Sequence, residues 1–370
     1  MPPHDTVDAI TGLPGLALRE RARRMPKVLL HEHLDGGLRV ATLLELLRER
    51  GIAAPADDAH GLAAWFDARA NAGSLDEYLR GFALTVAAMA SPDALARVAF
   101  EAAEDARADG CVLAEFRIAP LLFEPHGVPA DTAVQAMLDG LSRCAMPSGL
   151  IVCAMRHGDD GEIARAAELA LRWHRAPGPG GGARVVGFDL AGPEAGFPAT
   201  RHAALLARVR GQGLGLTLHA GEADVGERVV EAARLGAQRV GHGVRLADLI
   251  SGPDALAQLA ELKARGVHLE VCPTSNLHTG AAASLALHPI HALWRAGVSL
   301  SFHTDNRLIS RIDLSAEAAN LVQAGFDWAE LLQMGLDAAQ ASFLPEATRA
   351  AARAALRAWA ADEGLVPARR

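Results

Sequence analysis

Five short polar motifs follow five separate apolar runs of the sequence, and their residue types suit a metal site with acid–base chemistry. In chain order they are His31-Glu32-His33, His219-Ala220-Gly221-Glu222, Gly241-His242-Gly243, Thr274-Ser275-Asn276 and Thr304-Asp305-Asn306. Histidine, aspartate and glutamate bind metal ions and move protons around them. Residues so far apart in the chain meet only where a barrel or an open sheet collects the ends of its strands. The motifs therefore predict a sheet with one shared catalytic edge.

Three imidazoles and one carboxylate among these motifs form a donor set typical of zinc. His31 and His33 are two residues apart at a strand end, so both side chains point to the same face. His219 ends a second strand and Asp305 ends the last one. We predict one Zn²⁺ per chain bound by these four residues, with a position left for water. A hydrogen-bonded polar pair at a barrel mouth is the alternative for His31 and His33.

Two further side chains suit proton transfer beside the metal. Glu222 lies three residues after His219, so it can face the site without binding the ion, and enclosure would raise its pKa. The alternative for Glu222 is an acid in the first turn of a helix. His242 stands between two glycines and could take a proton from the metal-bound water or stabilise the hydroxide.

The apolar runs alternate with Ala- and Leu-rich stretches, which predicts an α/β protein. We expect eight strands, at 28–33, 111–118, 150–155, 184–190, 213–219, 239–242, 266–272 and 298–305. Eight strands separated by helices predict a parallel sheet closed into a (β/α)8 TIM barrel. An open doubly wound sheet is the alternative, but no Gly-rich phosphate fingerprint follows the first strand.

The chain reads as a single barrel domain over 1–370, with an N-terminal arm at 1–24 and extra helices after Leu314. Residues 36–110 form an insertion between the first two strands, where we expect helices at 41–50, 62–70, 75–89 and 92–108, with Ser74 and Ser91 as N-caps. An insertion after the first barrel strand lies over the catalytic face, so this segment is a candidate lid.

Composition narrows the class of protein. The net charge of −8 and the pI near 6.0 argue against nucleic acid or a membrane surface as partner. No run of ~18 uncharged apolar residues predicts a membrane span. The four cysteines show no CxxC spacing, and the first 24 residues lack an export signal, so a reduced cytoplasmic protein is expected. Oligomeric state is not readable from the sequence.

The scarcity of lysine bears on the number of metals. Binuclear hydrolases of this architecture commonly bridge two metals with a carboxylated lysine on the fourth strand. Here that strand runs through Gly187-Phe188-Asp189-Leu190-Ala191-Gly192, and the only lysines of the chain are Lys27 and Lys263. We therefore expect a mononuclear site unless another carboxylate bridges.

Taken together, the motifs resemble those of the adenosine deaminase family. The resemblance runs in order from about Pro26 to Asn306 and rests on 26–36, 188–192, 219–222, 241–243, 270–276 and 304–306. It implies zinc-dependent hydrolytic deamination of adenosine and 2′-deoxyadenosine in purine salvage, with a small-molecule purine nucleoside as the bound partner.

The resemblance also implies roles for single residues. Glu222 would protonate the purine N1, while His242 and Asp305 would orient and activate the attacking hydroxide. The substrate would contact His33, Asp35 through the ribose 5′-hydroxyl, and Gly192 through its backbone N–H to N3. Because the purine N7 only accepts hydrogen bonds, we also predict that the amide of Asn306 faces N7; the alternative is that Asn306 caps the loop after the last strand. A hydrophobic gate would consist of Leu75, Tyr78, Leu79 and Phe82, for which an ordinary amphipathic core face is the alternative.

Some positions depart from the family pattern or stand outside it. Many members carry a second Asp where this chain has Asn306, and His303 replaces the usual Asn. His303 lies about 6.6 Å deeper than Asp305 on the same face, too deep for a fifth ligand. Inside the barrel a paired polar layer is expected, made of Glu115, Arg117 and Glu270.

Related chemistries remain open at this level. Deaminases of adenine, of aminodeoxyfutalosine and of N6-substituted AMP share the catalytic core, and Asp35 with the long insertion favours a nucleoside over them. A catalytically inactive binding protein on the same scaffold and a general amidohydrolase are further alternatives. The full set of catalytic residue types argues against the first, and the missing lysine against the second.

Overall fold

The computed structural model describes residues 13–70, 75–250, 252 and 255–368; the side chains of 13–14 and 75–80 fall outside that description. Eight parallel strands form one sheet in the order of the sequence. They are β1 Lys27–His33, β2 Cys111–Ile118, β3 Ser148–Met155, β4 Arg184–Ala191, β5 Gly215–Ala220, β6 Arg239–His242, β7 His268–Val271 and β8 Leu300–Phe302. The predicted α/β barrel is confirmed, and each of the eight strands overlaps the run of residues predicted for it.

The sheet curls until its last strand meets its first. Glu32 and Asp305 form a parallel bridge, in which the His33 N–H donates to the Asp305 carbonyl at 2.8 Å. The Asp305 N–H donates in turn to the His31 carbonyl at 3.0 Å. These bonds close the barrel at the level of the predicted metal ligands. The closure therefore brings the first motif, at 31–33, next to the last one, at 304–306.

Helices follow the strands and cover the outside of the barrel. They are α1 Leu13–Arg24, α2 Val40–Glu49, α3 Ala59–Ala70, α4 Leu75–Met89, α5 Pro92–Ala108, α6 Ala130–Ser142, α7 Asp160–Arg175, α8 Ala203–Gly211, α9 Glu227–Arg234, α10 Leu246–Leu249, α11 Ala255–Arg265, α12 Pro273–His278, α13 Ile290–Arg295, α14 Arg307–Ser310, α15 Leu314–Gln323, α16 Trp328–Ala341 and α17 Glu346–Asp362. The strands are buried because helices lie on one side and the barrel interior on the other.

The insertion between β1 and β2 consists of α2 to α5, as expected. Ser91 caps α5 by accepting from the Ala94 N–H at 3.2 Å, whereas the other expected cap, Ser74, lies outside the described residues. No single described helix is long and apolar enough to cross a membrane; by length and composition alone, the pair Gly81–Met89 and Pro92–Ala108, bent by 115°, passes that test. All four cysteines are free and buried.

The last two strands are shorter than predicted. β7 and β8 span four and three residues, where the apolar runs extend over 266–272 and 298–305. Asp305 adopts a left-handed backbone with φ 59°, which a strand cannot include, and α12 begins directly after β7 at Pro273. The turn at Asp305 and the start of α12 limit the carboxyl ends of the two strands; both strands also begin two residues later than predicted, at His268 and Leu300.

A layer of ion pairs fills the barrel interior below that mouth. Arg239 contacts Glu115 and Glu270, each at 2.6 Å, and Arg117 contacts Glu270 at 2.5 Å and Asp189 at 2.8 Å. All five side chains are fully buried. Pairing offsets the cost of taking these charges out of water. The predicted polar layer is present, extended by Arg239 and Asp189.

Candidate active site

The four predicted metal ligands meet at the carboxyl ends of the strands. His31, His33, His219 and Asp305 each bring one donor atom into a group in which all four atoms lie within 4.8 Å of one another. The Nε2 atoms of His33 and His219 are 3.3 Å apart. Asp305 Oδ1 lies 3.4 Å from His31 Nε2 and 3.6 Å from His33 Nε2. Four donors from three strand ends thus face one point.

This group fits a tetrahedral metal such as zinc. A tetrahedron with bonds of ~2.0–2.1 Å has edges of about 3.4 Å, close to the donor separations found here. The Nε2 of His31 is buried without a hydrogen-bond partner among the described residues. Burial lowers the pKa of His31 to about 4 and that of His33 well below its usual value. Both imidazoles are therefore neutral and present lone pairs, the form that binds metal.

Two buried carboxylates orient two of the imidazoles from behind. His31 Nδ1 is 2.8 Å from Glu270 Oε2, and His219 Nδ1 is 2.9 Å from Asp189 Oδ2. Burial alone would lower the pKa of His219, but the ion pair with Asp189 outweighs it and raises that pKa. A carboxylate at Nδ1 holds the proton there and directs Nε2 to the metal position.

The ends of the strands turn sharply to aim these side chains. His242 and Asp305 adopt left-handed backbone conformations, with φ 60° and φ 59°, which are uncommon away from glycine. Gly241 is required for a different reason, because a Cβ there would stand 2.9 Å from His31 Cε1. The imidazole of His242 lies against those of His31 and His219, at centroid distances of 4.9 and 5.3 Å.

His219 lies at the end of β5, where β4 and β5 separate and side chains fill the gap between them. These two strands pair only over 187–188 with 215–216. Further along, Asp189 Oδ1 accepts from the His219 N–H at 3.2 Å, and Arg156 donates to the carbonyls of Leu190 and His219. Arg156 thus positions His219 from outside the cavity, whereas the next residue, His157, lines the cavity.

Glu222 faces the same space as the metal ligands without joining them. Its Oε1 accepts from Asn276 Nδ2 and from Thr279 Oγ1, both at 2.9 Å, and lies 3.5 Å from His242 Nδ1. Its side chain is 15% exposed, and burial raises its pKa above the usual value for glutamic acid. A raised pKa favours the protonated form of the carboxyl group, which is the form that a proton donor requires.

Helix α12 supplies several of these contacts. Ser275 donates to Asp305 Oδ2 at 2.6 Å, and Asn276 reaches Glu222 from the next position. The helix is fixed at its start by Glu317, whose Oε1 accepts from the Thr274 N–H at 2.9 Å. One short helix therefore donates hydrogen bonds both to Asp305, a candidate metal ligand, and to Glu222, the candidate acid.

A cavity of about 520 Å³ opens above this group, which is the size range of small-molecule sites. Asp35, Gly192 and Asn306 line it together with His33 and Glu222. Its apolar wall consists of Phe82, Ala83, Val86, Ala119, Leu122, Met155 and Ala191. Of the predicted gate, Phe82 reaches the cavity, while the side chains of Leu75, Tyr78 and Leu79 lie outside the described residues.

Asp35 lines the cavity with a buried side-chain oxygen that a bound ligand could contact. It is 4% exposed, and its Oδ1 is buried without a hydrogen-bond partner in the described part of the chain. Burial raises its pKa to about 7. A buried oxygen without a donor is costly, so this position favours a ligand that supplies a hydroxyl or amine hydrogen.

Sequence reasoning missed several residues that build this site. Thr279 received no role, and neither did Glu194, which accepts from the N–H groups of Gly221 and Glu222; both act through contacts across loops that no spacing reveals. Asp189 stood in the fourth-strand motif without a role, although an acid in an otherwise apolar strand signals a buried pair. His303, read as too deep for a ligand, contacts Ser301 and the Leu30 N–H instead.

Comparison with known proteins agrees with the geometry. A model of the family described as adenosine deaminase matches residues 26–359. An adenosine deaminase of Mycobacterium avium is 43% identical over 348 residues, covering 88% of this chain and 92% of the relative. Among solved structures, an adenine deaminase from Arthrobacter aurescens has a TM-score of 0.81 at 23% identity, covering 91% of this chain and 99% of that one. An amidohydrolase from Burkholderia ambifaria with bound Zn has a TM-score of 0.77 at 26% identity, covering 93% and 92%.

Fold and site together define a metal-dependent hydrolase built on a TIM barrel. More narrowly, the chain belongs to the adenosine deaminase family, whose members hydrolyse a C–N bond.

Proposed function

We propose that this enzyme hydrolyses adenosine and 2′-deoxyadenosine to inosine and 2′-deoxyinosine with release of ammonia, in cytoplasmic purine salvage. The observation that carries the proposal is the position of Glu222. A largely buried acid with a raised pKa faces the same cavity as a four-donor metal cluster. An amidine carbon becomes reactive when its ring nitrogen is protonated on one side and water is delivered on the other.

One Zn²⁺ held by His31, His33, His219 and Asp305 is part of this proposal. When bound, the ion would act as a Lewis acid and supply an activated water at neutral pH. Three of the donor separations are 3.3 to 3.6 Å and all lie within 4.8 Å, and β4 carries no lysine; these observations support one ion rather than two. Metal analysis of the wild-type protein and of a His31→Ala/His33→Ala variant tests it; two ions per chain, or full retention by the variant, would reject it.

The chain's own groups account for the proton movements. Glu222 gives its proton to the purine N1, which draws electrons from C6. His242 lies against His31 and His219, so it is placed to take up a proton from water entering the cluster. Asp305 Oδ2 accepts from Ser275, which leaves Oδ1 directed at the cluster.

The remaining cavity residues bind and orient the nucleoside. Gly192 has φ 91° and lines the cavity, so its backbone N–H can reach the ring nitrogen N3. Asp35 offers its unpartnered oxygen to the ribose 5′-hydroxyl, His33 lies beside it, and Asn306 faces N7. The apolar wall suits a purine face and makes little demand on the 2′-position, which is why both adenosine and its 2′-deoxy form are proposed.

A comparison of substrates decides between this function and its relatives. Ammonia release is measured side by side from adenosine, 2′-deoxyadenosine, adenine, AMP, N6-methyl-AMP and aminodeoxyfutalosine. We expect the highest kcat/KM for the two nucleosides. A preference for any of the other four would assign the chain to another activity of the family, and turnover of none in a zinc-loaded protein would indicate an inactive binding protein.

A further inference from the structure

The carboxyl group of Glu222 meets two hydrogen-bond donors at one of its oxygens. Thr279 Oγ1 and Asn276 Nδ2 each lie 2.9 Å from Oε1. A carboxyl oxygen has two lone-pair positions, and these two donors occupy both. A proton on the group is therefore carried by Oε2.

The two donors differ in what else they contact. The Asn276 amide also lies 3.1 Å from His242 Nδ1, so its position is shared between two groups. The Thr279 hydroxyl has Glu222 as its one hydrogen-bond partner within the described ranges. Its backbone is fixed, because its N–H donates to the Ser275 carbonyl at 2.9 Å at the end of α12.

The backbone of Glu222 is fixed separately. Glu194, which is 4% exposed, accepts from the N–H groups of Gly221 at 2.8 Å and Glu222 at 3.0 Å. With the backbone held there, the remaining freedom of Glu222 lies in its side-chain torsions. A hydrogen-bond donor at the carboxyl group limits these torsions.

We propose that Thr279 is a positioning residue that determines which oxygen of Glu222 delivers the proton, an inference that rests on the proposed function. In the step, the O–H bond at Oε2 breaks, its electron pair stays on the carboxylate, and an N–H bond forms at the purine N1. The Thr279 hydroxyl then donates to an ionised carboxylate, and such bonds are stronger than those to a neutral acid. Thr279 thus favours both the reactive orientation and the state that follows proton transfer.

Kinetics of three variants test the proposal. Thr279→Val keeps the shape and removes the donor, Thr279→Ser keeps the donor, and the exposed Thr200→Val controls for the exchange itself. With adenosine we expect Thr279→Val to lower kcat about tenfold with KM within about twofold, the cost of one hydrogen bond of ~1.4 kcal/mol. Thr279→Ser should restore most of kcat. Full activity of Thr279→Val, or equal losses in the Val and Ser variants, would overturn the proposal.

A second measurement does not depend on turnover. A double-mutant cycle of Thr279→Val and Glu222→Ala in urea unfolding reports the interaction of the two side chains. We expect non-additive unfolding free energies, and additive ones would overturn the proposal. A wild-type enzyme that deaminates none of the purines would reject the proposed function, and the cycle would then decide the Thr279 contact alone.

Discussion

Asp189 and Glu270 accept from the two ends of a single guanidinium. Arg117 Nη1 lies 2.8 Å from Asp189 Oδ2, and Nη2 lies 2.5 Å from Glu270 Oε2. The same two oxygens contact His219 and His31. Burial alone would raise the pKa of each acid, but Arg117 and the imidazoles outweigh it and hold both well below their usual values. Arg117 therefore helps to keep both carboxylates ionised, together with Arg239 at Glu270, and the two carboxylates orient two metal ligands.

This arrangement predicts that Arg117 controls metal affinity without touching the metal. Arg117→Met should weaken Zn²⁺ binding about 10- to 100-fold and destabilise the fold by ~3–5 kcal/mol, because it removes the guanidinium from buried Asp189 and leaves buried Glu270 with Arg239 alone. Competition with a zinc-binding dye measures the first effect and urea unfolding the second. Arg208→Met, which removes a surface pair with Glu168, should change neither. A folded Arg117→Met protein with unchanged zinc affinity would contradict the prediction.

The site residues that could be predicted from the sequence are those whose positions are determined by the ends of strands. His31, His33, His219 and Asp305 lie at or just after the ends of apolar runs, and a parallel barrel brings the ends of its strands together whatever the loops do. Even so, β8 proved to be only Leu300–Phe302, because the left-handed turn at Asp305 is set by packing and not by local propensity.

The contacts around Glu222 could not be predicted in the same way. Thr279 and Glu194 reach it from loops whose course depends on tertiary packing, and neither residue type is unusual in a loop. Arg156 is buried against two carbonyls in the gap between β4 and β5, a contact that the sequence around it does not indicate. Spacing identifies strand ends, but it does not show which side chains bridge them.

Removing the acid at Glu222 should separate catalysis from metal binding. Glu222→Gln keeps the size and the oxygen that accepts from Thr279 and Asn276, but it cannot transfer a proton. We expect full zinc content and a kcat lowered by ~10²–10⁴-fold, the usual contribution of a general acid. Metal analysis together with steady-state kinetics checks both statements. Near-normal turnover with zinc bound would show that another group protonates the base.

Asp35 should discriminate against a 5′-phosphate. Two like charges about 5 Å apart at an effective dielectric of ~20 repel by ~3 kcal/mol, so kcat/KM for AMP should be about 100-fold or more below that for adenosine. Because the pKa of Asp35 is raised to about 7, its charge appears as the pH rises through that value, and the discrimination should increase from pH 6 to pH 8. Asp35→Asn should remove the part of the increase that comes from ionisation of Asp35. The part that comes from ionisation of the AMP phosphate should remain, because both proteins act on the same substrate. Equal pH dependence in the two proteins would contradict the assignment.

Glu317 should make the protein less stable as the pH rises. Burial raises its pKa from 4.5 to about 7, so the native state holds a proton that the unfolded chain releases between those values. The resulting stabilisation is complete below about pH 4.5 and is lost as the pH rises through 7. Relative to wild type, Glu317→Gln should gain ~1–3 kcal/mol in unfolding free energy between pH 5 and pH 8. Urea unfolding at fixed zinc concentration measures this difference, with the surface exchange Glu168→Gln as control. Parallel stability curves for wild type and Glu317→Gln would show that the buried acid does not titrate in this range.

Asn306 lies in the cavity wall with its side chain packed on Gly36, where a Cβ would come within 1.9 Å of Asn306 Oδ1. The purine N7 only accepts hydrogen bonds, so its partner must donate. An aspartic acid can donate there only while protonated, whereas the amide of Asn306 carries two N–H donors at any pH.

We therefore predict that the Asn306 amide donates a hydrogen bond to N7 and that this contact does not depend on protonation of the side chain. Asn306→Ala should lose ~1–3 kcal/mol of transition-state binding, as a removed hydrogen bond to a buried polar atom usually costs. Asn306→Asp should retain activity at low pH and lose part of it as the pH rises and the carboxyl ionises. Comparison with 7-deazaadenosine, which lacks the acceptor, identifies the contact itself. The deaza substitution should weaken kcat/KM of wild type far more than that of Asn306→Ala. If both proteins lose the same factor, Asn306 does not contact N7 and only caps the loop that follows β8.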